Sequence, residues 1–102
     1  PIRKRPKSPG RDVAVVKPMQ VILNNDENPD YTILEVKAYD RPGLLYDITS
    51  VCNEQGYYIH LAMITTEAYR VVDVFYITDL EFNKLSLAQT KKLRASLEEI
   101  LA

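Results

Sequence analysis

Apolar and polar residues alternate between Tyr31 and Tyr39, and this alternation predicts a half-buried β-strand. One face of the strand carries Thr32, Leu34, Val36 and Ala38, and the other carries Ile33, Glu35 and Lys37. Upstream, Val13 to Leu23 is apolar and rich in β-formers, but Pro18 interrupts it, which predicts an edge strand or a bulge. The polar run from Asn24 to Asp30 predicts a turn between the two strands.

Helical spacing replaces this alternation after Gly43. The apolar positions Leu44, Leu45, Ile48, Val51 and Cys52 predict an amphipathic helix, and Gly56 stands where a left-handed C-cap is expected. Since Cys52 lies on the apolar face, we expect a buried, unreactive thiol.

Two further strands and a helix complete the pattern. Strands are predicted over Tyr57 to Thr66 and Tyr69 to Thr78, with Glu67-Ala68 as the hairpin connection. The second strand is apolar on both faces except at Asp73, which predicts a central strand covered on both sides. Ser86 and Gln89 form the sequence pattern of a capping box before a final helix, whose apolar face carries Leu93, Leu97, Ile100 and Leu101.

The order strand, strand, helix, strand, strand, helix predicts a two-layer α+β ferredoxin-like plait. The common plait runs βαββαβ, but this chain has no room for a strand after its last helix. The N-terminal strand can fill the vacant edge. We therefore predict a permuted ββαββα plait, with a four-stranded antiparallel sheet and two helices on one face.

Charge divides the chain unevenly, although its net charge is only −1 and its 102 residues suffice for one domain. Residues 1–17 hold six basic residues and one acid, whereas the remaining residues hold seven bases and thirteen acids. We predict a basic flexible arm or linker over 1–12 and a folded domain over 13–102. The arm is expected to be a solvated linker, with nucleic-acid binding as the weaker alternative. No membrane span or signal peptide is recognisable, which favours the cytoplasm.

The sequence shows no recognisable catalytic set, metal site or cofactor motif. His60 is the single histidine, and no Ser-His-acid set or phosphate loop occurs. Arg41 and Asn53 could suit an acylphosphatase-like site, but a helix would separate them by roughly 15 Å. Continuous alternation places His60 in phase with Tyr58, Ala62, Ile64 and Thr66. It is either a polar group at an interface or pocket wall, or a partly buried histidine bonded to backbone.

The run Asp40-Arg41-Pro42-Gly43-Leu44-Leu45 ends one strand and opens a helix. The first N–H groups of a helix have no intrahelical acceptor and the dipole there is positive, so this turn predicts a small anion-attracting pocket. Asp40 could instead only cap the helix, and Pro42 only begin it.

This run, together with the strand Thr32 to Val36, Ile59-His60 and the stretch Val72 to Asp79, resembles an ACT domain, a small amino-acid-sensing regulatory module. Within that family, it is most similar to the C-terminal ACT repeats of bacterial PII uridylyltransferase/uridylyl-removing enzymes. The resemblance covers residues 13 to 101.

The resemblance implies a non-catalytic module that binds a free amino acid, glutamine in this subfamily, where the loop of one ACT unit meets another unit. It implies ligand-binding roles for Asp40, Arg41, Pro42, Gly43, Leu44 and Leu45, with His60 as a further candidate. Backbone amides would receive the α-carboxylate, and Asp40 the ammonium. Gly43 would spare the ligand a clash with a Cβ. A homodimer is the expected partner arrangement. A ligand-free interaction and dimerisation module remains the alternative.

Overall fold

A computed structural model describes residues 19–67 and 70–102. The elements are β1 (Met19–Asn24), β2 (Thr32–Tyr39), α1 (Leu44–Glu54), β3 (Tyr57–Glu67), β4 (Arg70–Asp79) and α2 (Leu87–Leu101). The four strands form one antiparallel sheet in the order β1-β2-β4-β3. The permuted ββαββα plait is therefore confirmed, with β1 in the edge position beside β2.

The core lies between the helices and one face of the sheet. The predicted alternation of β2 is confirmed, because Thr32, Leu34, Val36 and Ala38 are all buried. Helix α1 adds Leu44, Ile48, Val51 and Cys52 to this core, and α2 adds Leu93 and Leu97. Each fully buried aliphatic side chain stabilises the fold by about 1.5–3 kcal/mol relative to an exposed one.

Strand β4 is central, as predicted, but among the described residues a helix layer covers only one of its faces, not both as expected. The helices pack on the face that carries Val71, Asp73, Phe75 and Ile77. The opposite face, which we call the open face, carries the half-buried Glu35, Lys37, Val74 and Tyr76, although Val72 and Thr78 on the same face of β4 are buried. An apolar run shows that a strand is central but does not show whether a second layer covers it.

The expected phase of His60 is also wrong, because β3 contains an irregularity in register between Ile59 and Leu61. Ile59 pairs with Ile77, whereas Leu61 pairs with Tyr76, so one extra residue stands on β3. Such a β-bulge moves the residues beyond it to the other face. Tyr58 and His60 therefore lie on the open face, while Ala62, Ile64 and Thr66 face the helix side.

The ends of both helices follow the sequence signals. Gly56, just after α1, has φ +85°, as expected of a left-handed C-cap position. At the start of α2, Ser86 Oγ accepts a hydrogen bond from the backbone N–H of Gln89 (3.1 Å). In return, Gln89 Oε1 accepts one from the backbone N–H of Ser86 (2.8 Å). The predicted capping box is thus confirmed.

The predicted basic arm and the strand segment before Met19 lie outside the described residues, as does Ala68 of the predicted hairpin. The boundary between arm and domain stays a prediction. Among the described residues, no helix is long and apolar enough to cross a membrane.

Candidate functional site

The loop between β2 and α1 makes a tight turn that sets where the helix begins. The Leu44 amide donates to the Arg41 carbonyl (3.2 Å), and the Asp47 amide donates to the Gly43 carbonyl (2.9 Å). Gly43 is the N-cap with φ +81°, and no side chain among the described residues caps it. The N–H groups of the first helical turn therefore have no acceptor within the helix.

This geometry excludes the capping interpretation of two loop residues. Asp40 does not cap α1, because Gly43 holds the cap position, and Pro42 precedes the cap rather than beginning the helix. The backbone gives Gly43 a reason that is independent of any ligand. A Cβ built there would meet Arg41 Nη1 at 3.8 Å, an ordinary contact, so the positive φ requires the glycine.

The side chain of Arg41 folds back over the start of α1. Its Nη2 donates to Asp47 Oδ2 (2.7 Å), and its Nη1 donates to the Pro42 carbonyl (3.1 Å). The guanidinium charge is thus paired with a carboxylate of the first helical turn. Arg41 therefore stabilises the loop, and its paired charge is less available to a ligand.

A cavity of about 360 Å³ lies beside this loop. Its lining comes from the loop, the start of α1 and the neighbouring strands β3 and β4, namely Asp40, Arg41, Gly43, Leu44, Leu45, Tyr46, Ile64, Val71 and Asp73. Five of the seven predicted ligand residues therefore come together here. Pro42 belongs to the same loop without lining the cavity.

The structure places His60 elsewhere. Its Nε2 lies 2.7 Å from Thr78 Oγ1, and its ring lies 5.0 Å from that of Tyr31 and 6.0 Å from that of Phe82. His60 is exposed on the open face, and the hydrogen-bond partner shown is a side-chain hydroxyl. It belongs to an aromatic cluster on the side of the sheet opposite the cavity.

Asp73 is the cavity residue that sequence reasoning did not assign to the site. It is only 2% exposed, and its Oδ1 has no hydrogen-bond partner among the described residues. Burial raises the pKa of this carboxyl, and the nearby charge of Asp40 raises it further. The available signal was the single acid in the apolar run from Val71 to Thr78, in phase with core residues such as Phe75.

Among the described residues, neither the thiol nor a cluster of metal-ligating side chains forms another site. Cys52 is buried as predicted, and burial raises the pKa of its thiol to about 11. At neutral pH such a thiol stays protonated and is a poor nucleophile. In the part of the chain that the structure describes, no three histidine, cysteine or acidic residues are grouped as metal ligands.

Comparison with known protein families gives a match to the ACT domain model over residues 32–99. The chain belongs to the ACT domain family. The matched range begins with β2 and ends in α2, so it includes the loop, the residues that line the cavity, α1 and most of α2. Comparison with solved structures gives no match.

Similar curated proteins are bifunctional uridylyltransferase/uridylyl-removing enzymes. The protein from Gluconobacter oxydans (strain 621H) is 43% identical over 67 residues, which is 66% of this chain and 7% of the relative. The Cereibacter sphaeroides protein is 36% identical over 103 residues, covering 96% of this chain and 11% of the relative. The Rhodospirillum rubrum protein is 33% identical over 97 residues, 94% of this chain and 10% of the relative. This ACT domain thus spans about a tenth of the length of these relatives.

Proposed function

We propose that this ACT domain senses a free amino acid, glutamine, and regulates a PII uridylyltransferase/uridylyl-removing enzyme. The observation that carries the proposal is the cavity at the start of α1, lined by five residues of the predicted ligand set. The relatives supply the enzyme class, since they bear this name and match most of the chain. Glutamine itself follows from the resemblance to their regulatory repeats.

The cavity suits an amino-acid zwitterion in both its polar groups and its volume. Amides of the first turn of α1, such as those of Leu45 and Tyr46, offer donors to an α-carboxylate at the positive end of the helix dipole. The aliphatic surfaces of Leu45, Ile64 and Val71 can pack against the methylene groups of a side chain. The cavity volume of about 360 Å³ is at the small end of the range for ligand pockets, which suits a single amino acid.

Regulation requires that the ligand prefer one arrangement of the protein to another, since only differential affinity moves an equilibrium. A second ACT unit is the proposed partner. Ile64 lines the cavity from β3, which lies at the edge of the sheet. A unit that pairs along this edge would stand beside the cavity, so ligand occupancy and pairing would influence each other.

Titration calorimetry with glutamine on the purified chain tests the proposal. We expect saturable binding of one glutamine per chain, and we expect Ile64→Arg to abolish it by filling the cavity. The matched control is Ile22→Arg on the opposite edge strand β1. The two isoleucines are 52% and 42% exposed, so neither substitution should unfold the domain. A chain that binds no glutamine at millimolar concentration contradicts the proposal.

A second candidate is a ligand-free interaction module that retains the ACT fold. It is favoured by the eleven-residue edge strand β3, on which Leu61, Met63 and Ile64 are 50%, 44% and 52% exposed. An apolar edge strand invites pairing with another chain. Dimerisation without a response to any amino acid would support this candidate over the sensor.

A further inference from the structure

We propose that Asp73 receives the α-ammonium group of the bound ligand and makes the cavity select amino acids over analogues that lack this charge. The inference rests on the proposed function and adds a specificity-determining residue to its site. It also moves the ammonium-binding role from Asp40, the residue that the resemblance suggests, to a strand behind the loop.

The position of Asp73 carries this inference. Asp73 lies in the middle of β4, where it pairs with Val36 of β2 on one side and Ile64 of β3 on the other. It lines the cavity from the helix side of the sheet, with Oδ1 unpartnered among the described residues. A buried acceptor without a donor is unfavourable. A primary ammonium group in the cavity would supply the missing donor together with the opposite charge.

The other charged groups of the cavity sharpen the choice between the two acids. Asp40 and Arg41 line it from the loop, and apart from Asp73 its remaining residues are uncharged. The Arg41 guanidinium is held by Asp47 at 2.7 Å, outside the lining set. Asp40 is exposed, so solvent screens its attraction for a ligand. Asp73 is buried, and a charge pair there is screened much less.

Proton linkage follows from the same arrangement. Burial and the charge of Asp40 raise the pKa of Asp73 in the empty domain, whereas an ammonium partner would lower it again. Ligand binding should therefore release a proton when the solution pH lies near the raised pKa. The affinity should fall as pH decreases through that pKa, because the protonated carboxyl attracts the ammonium weakly.

The test compares glutamine with glutaric acid monoamide, which has the same carboxylate and amide but no ammonium. By calorimetry, we expect the wild-type chain to bind glutamine at least about tenfold more tightly than the monoamide. Asp73→Asn should remove about tenfold or more of the glutamine affinity and leave the monoamide affinity within about threefold, so the preference collapses. Asp40→Asn should cause a smaller loss of preference. Glu35→Gln, which removes a carboxylate from the open face, is the charge control.

The outcomes separate the two proposals. A wild-type chain that binds neither compound contradicts the sensor function. A wild-type chain that prefers glutamine, with the same preference in Asp73→Asn, overturns the role of Asp73 and leaves the sensor intact. Should Asp73→Asn fail to fold, proton release by the wild type decides. Calorimetry in two buffers of different ionisation enthalpy, from pH 3.8 up to neutral pH, should show release on glutamine binding, and its absence throughout this range overturns the inference.

Discussion

An ionised Asp73 in the empty cavity opposes folding at neutral pH. Because its pKa in the fold is raised above the ordinary value of 3.8, the native state binds this proton more tightly than the unfolded state does. The stability contributed by protonated Asp73 is therefore present below pH 3.8 and is lost as pH rises through the raised pKa.

We therefore expect Asp73→Asn to raise the free energy of unfolding of the ligand-free domain at pH 7, and the gain to shrink as pH is lowered toward 4. Urea denaturation of both chains across this range measures the difference. Glu35→Gln is again the control, since the half-buried Glu35 lies on the open face, away from the cavity. Its Oε2 lies 3.7 Å from Lys37 Nζ. A gain that is independent of pH, or a loss at pH 7, would contradict the assignment. A loss of stability of this kind is what the proposed ligand-binding role would entail.

Residue patterns in the sequence identify the loop better than the full lining of the site. Gly43 could be predicted from its place before a helix, but the reason for a glycine, φ +81°, needs the backbone. Asp73 interrupts an apolar strand, and alternation alone gives its face but not its burial or the cavity beside it. That information depends on residues 33 positions apart in the chain, because Asp40 and Asp73 meet only when β2 and β4 pair.

At the level of elements, the bulge in β3 separates what periodicity can and cannot predict. The existence of β3 follows from its composition, since β-branched and aromatic residues favour strands. Its phase beyond Ile59 does not, because one extra residue reverses the face of every later side chain. Beyond Ile59, β3 is exposed on both faces, so burial does not fix its register. The consequence is functional, because Ile64 reaches the cavity only in the register that the bulge produces.

The capping box of α2 gives a prediction at this scale. Ser86→Ala removes the acceptor for the backbone N–H of Gln89 and should lower the free energy of unfolding by about 1 kcal/mol. Ser86→Asp, which retains a capping oxygen, should recover most of that loss. Urea denaturation measures both, and the thermal melt should follow the same order. If the alanine variant were as stable as the wild type, hydrogen bonds to water would replace the capping bonds without loss, and the capping box would not stabilise the fold.

At the end of the sheet where β2 begins, a hydrogen-bond network joins segments that are distant in the sequence. The Thr32 hydroxyl donates to Asn25 Oδ1 and accepts from the Leu85 amide at 2.9 Å. Asn25 Nδ2 donates to the Leu85 carbonyl at 2.9 Å, which joins the β1–β2 turn to the segment before α2. The sequence predicts the topology because a short turn forces β1 beside β2. It does not predict this network, whose members lie up to 60 positions apart.

Pairing between two domains is the prediction that belongs to the molecule as a whole. If a second copy pairs along β3, Met63→Lys would place an ammonium group on that edge, and pairing would have to desolvate it. We expect the dimer dissociation constant to rise at least about tenfold in sedimentation equilibrium, with glutamine affinity falling in the same variant. Ile22→Lys, at a similar exposure on the opposite edge strand, should change neither quantity. Unchanged dimerisation in Met63→Lys would exclude β3 as the interface. Weaker dimerisation with intact glutamine binding would mean that one domain completes the cavity alone, and the regulatory coupling would then have to run through the loop and α1 rather than through the paired edge.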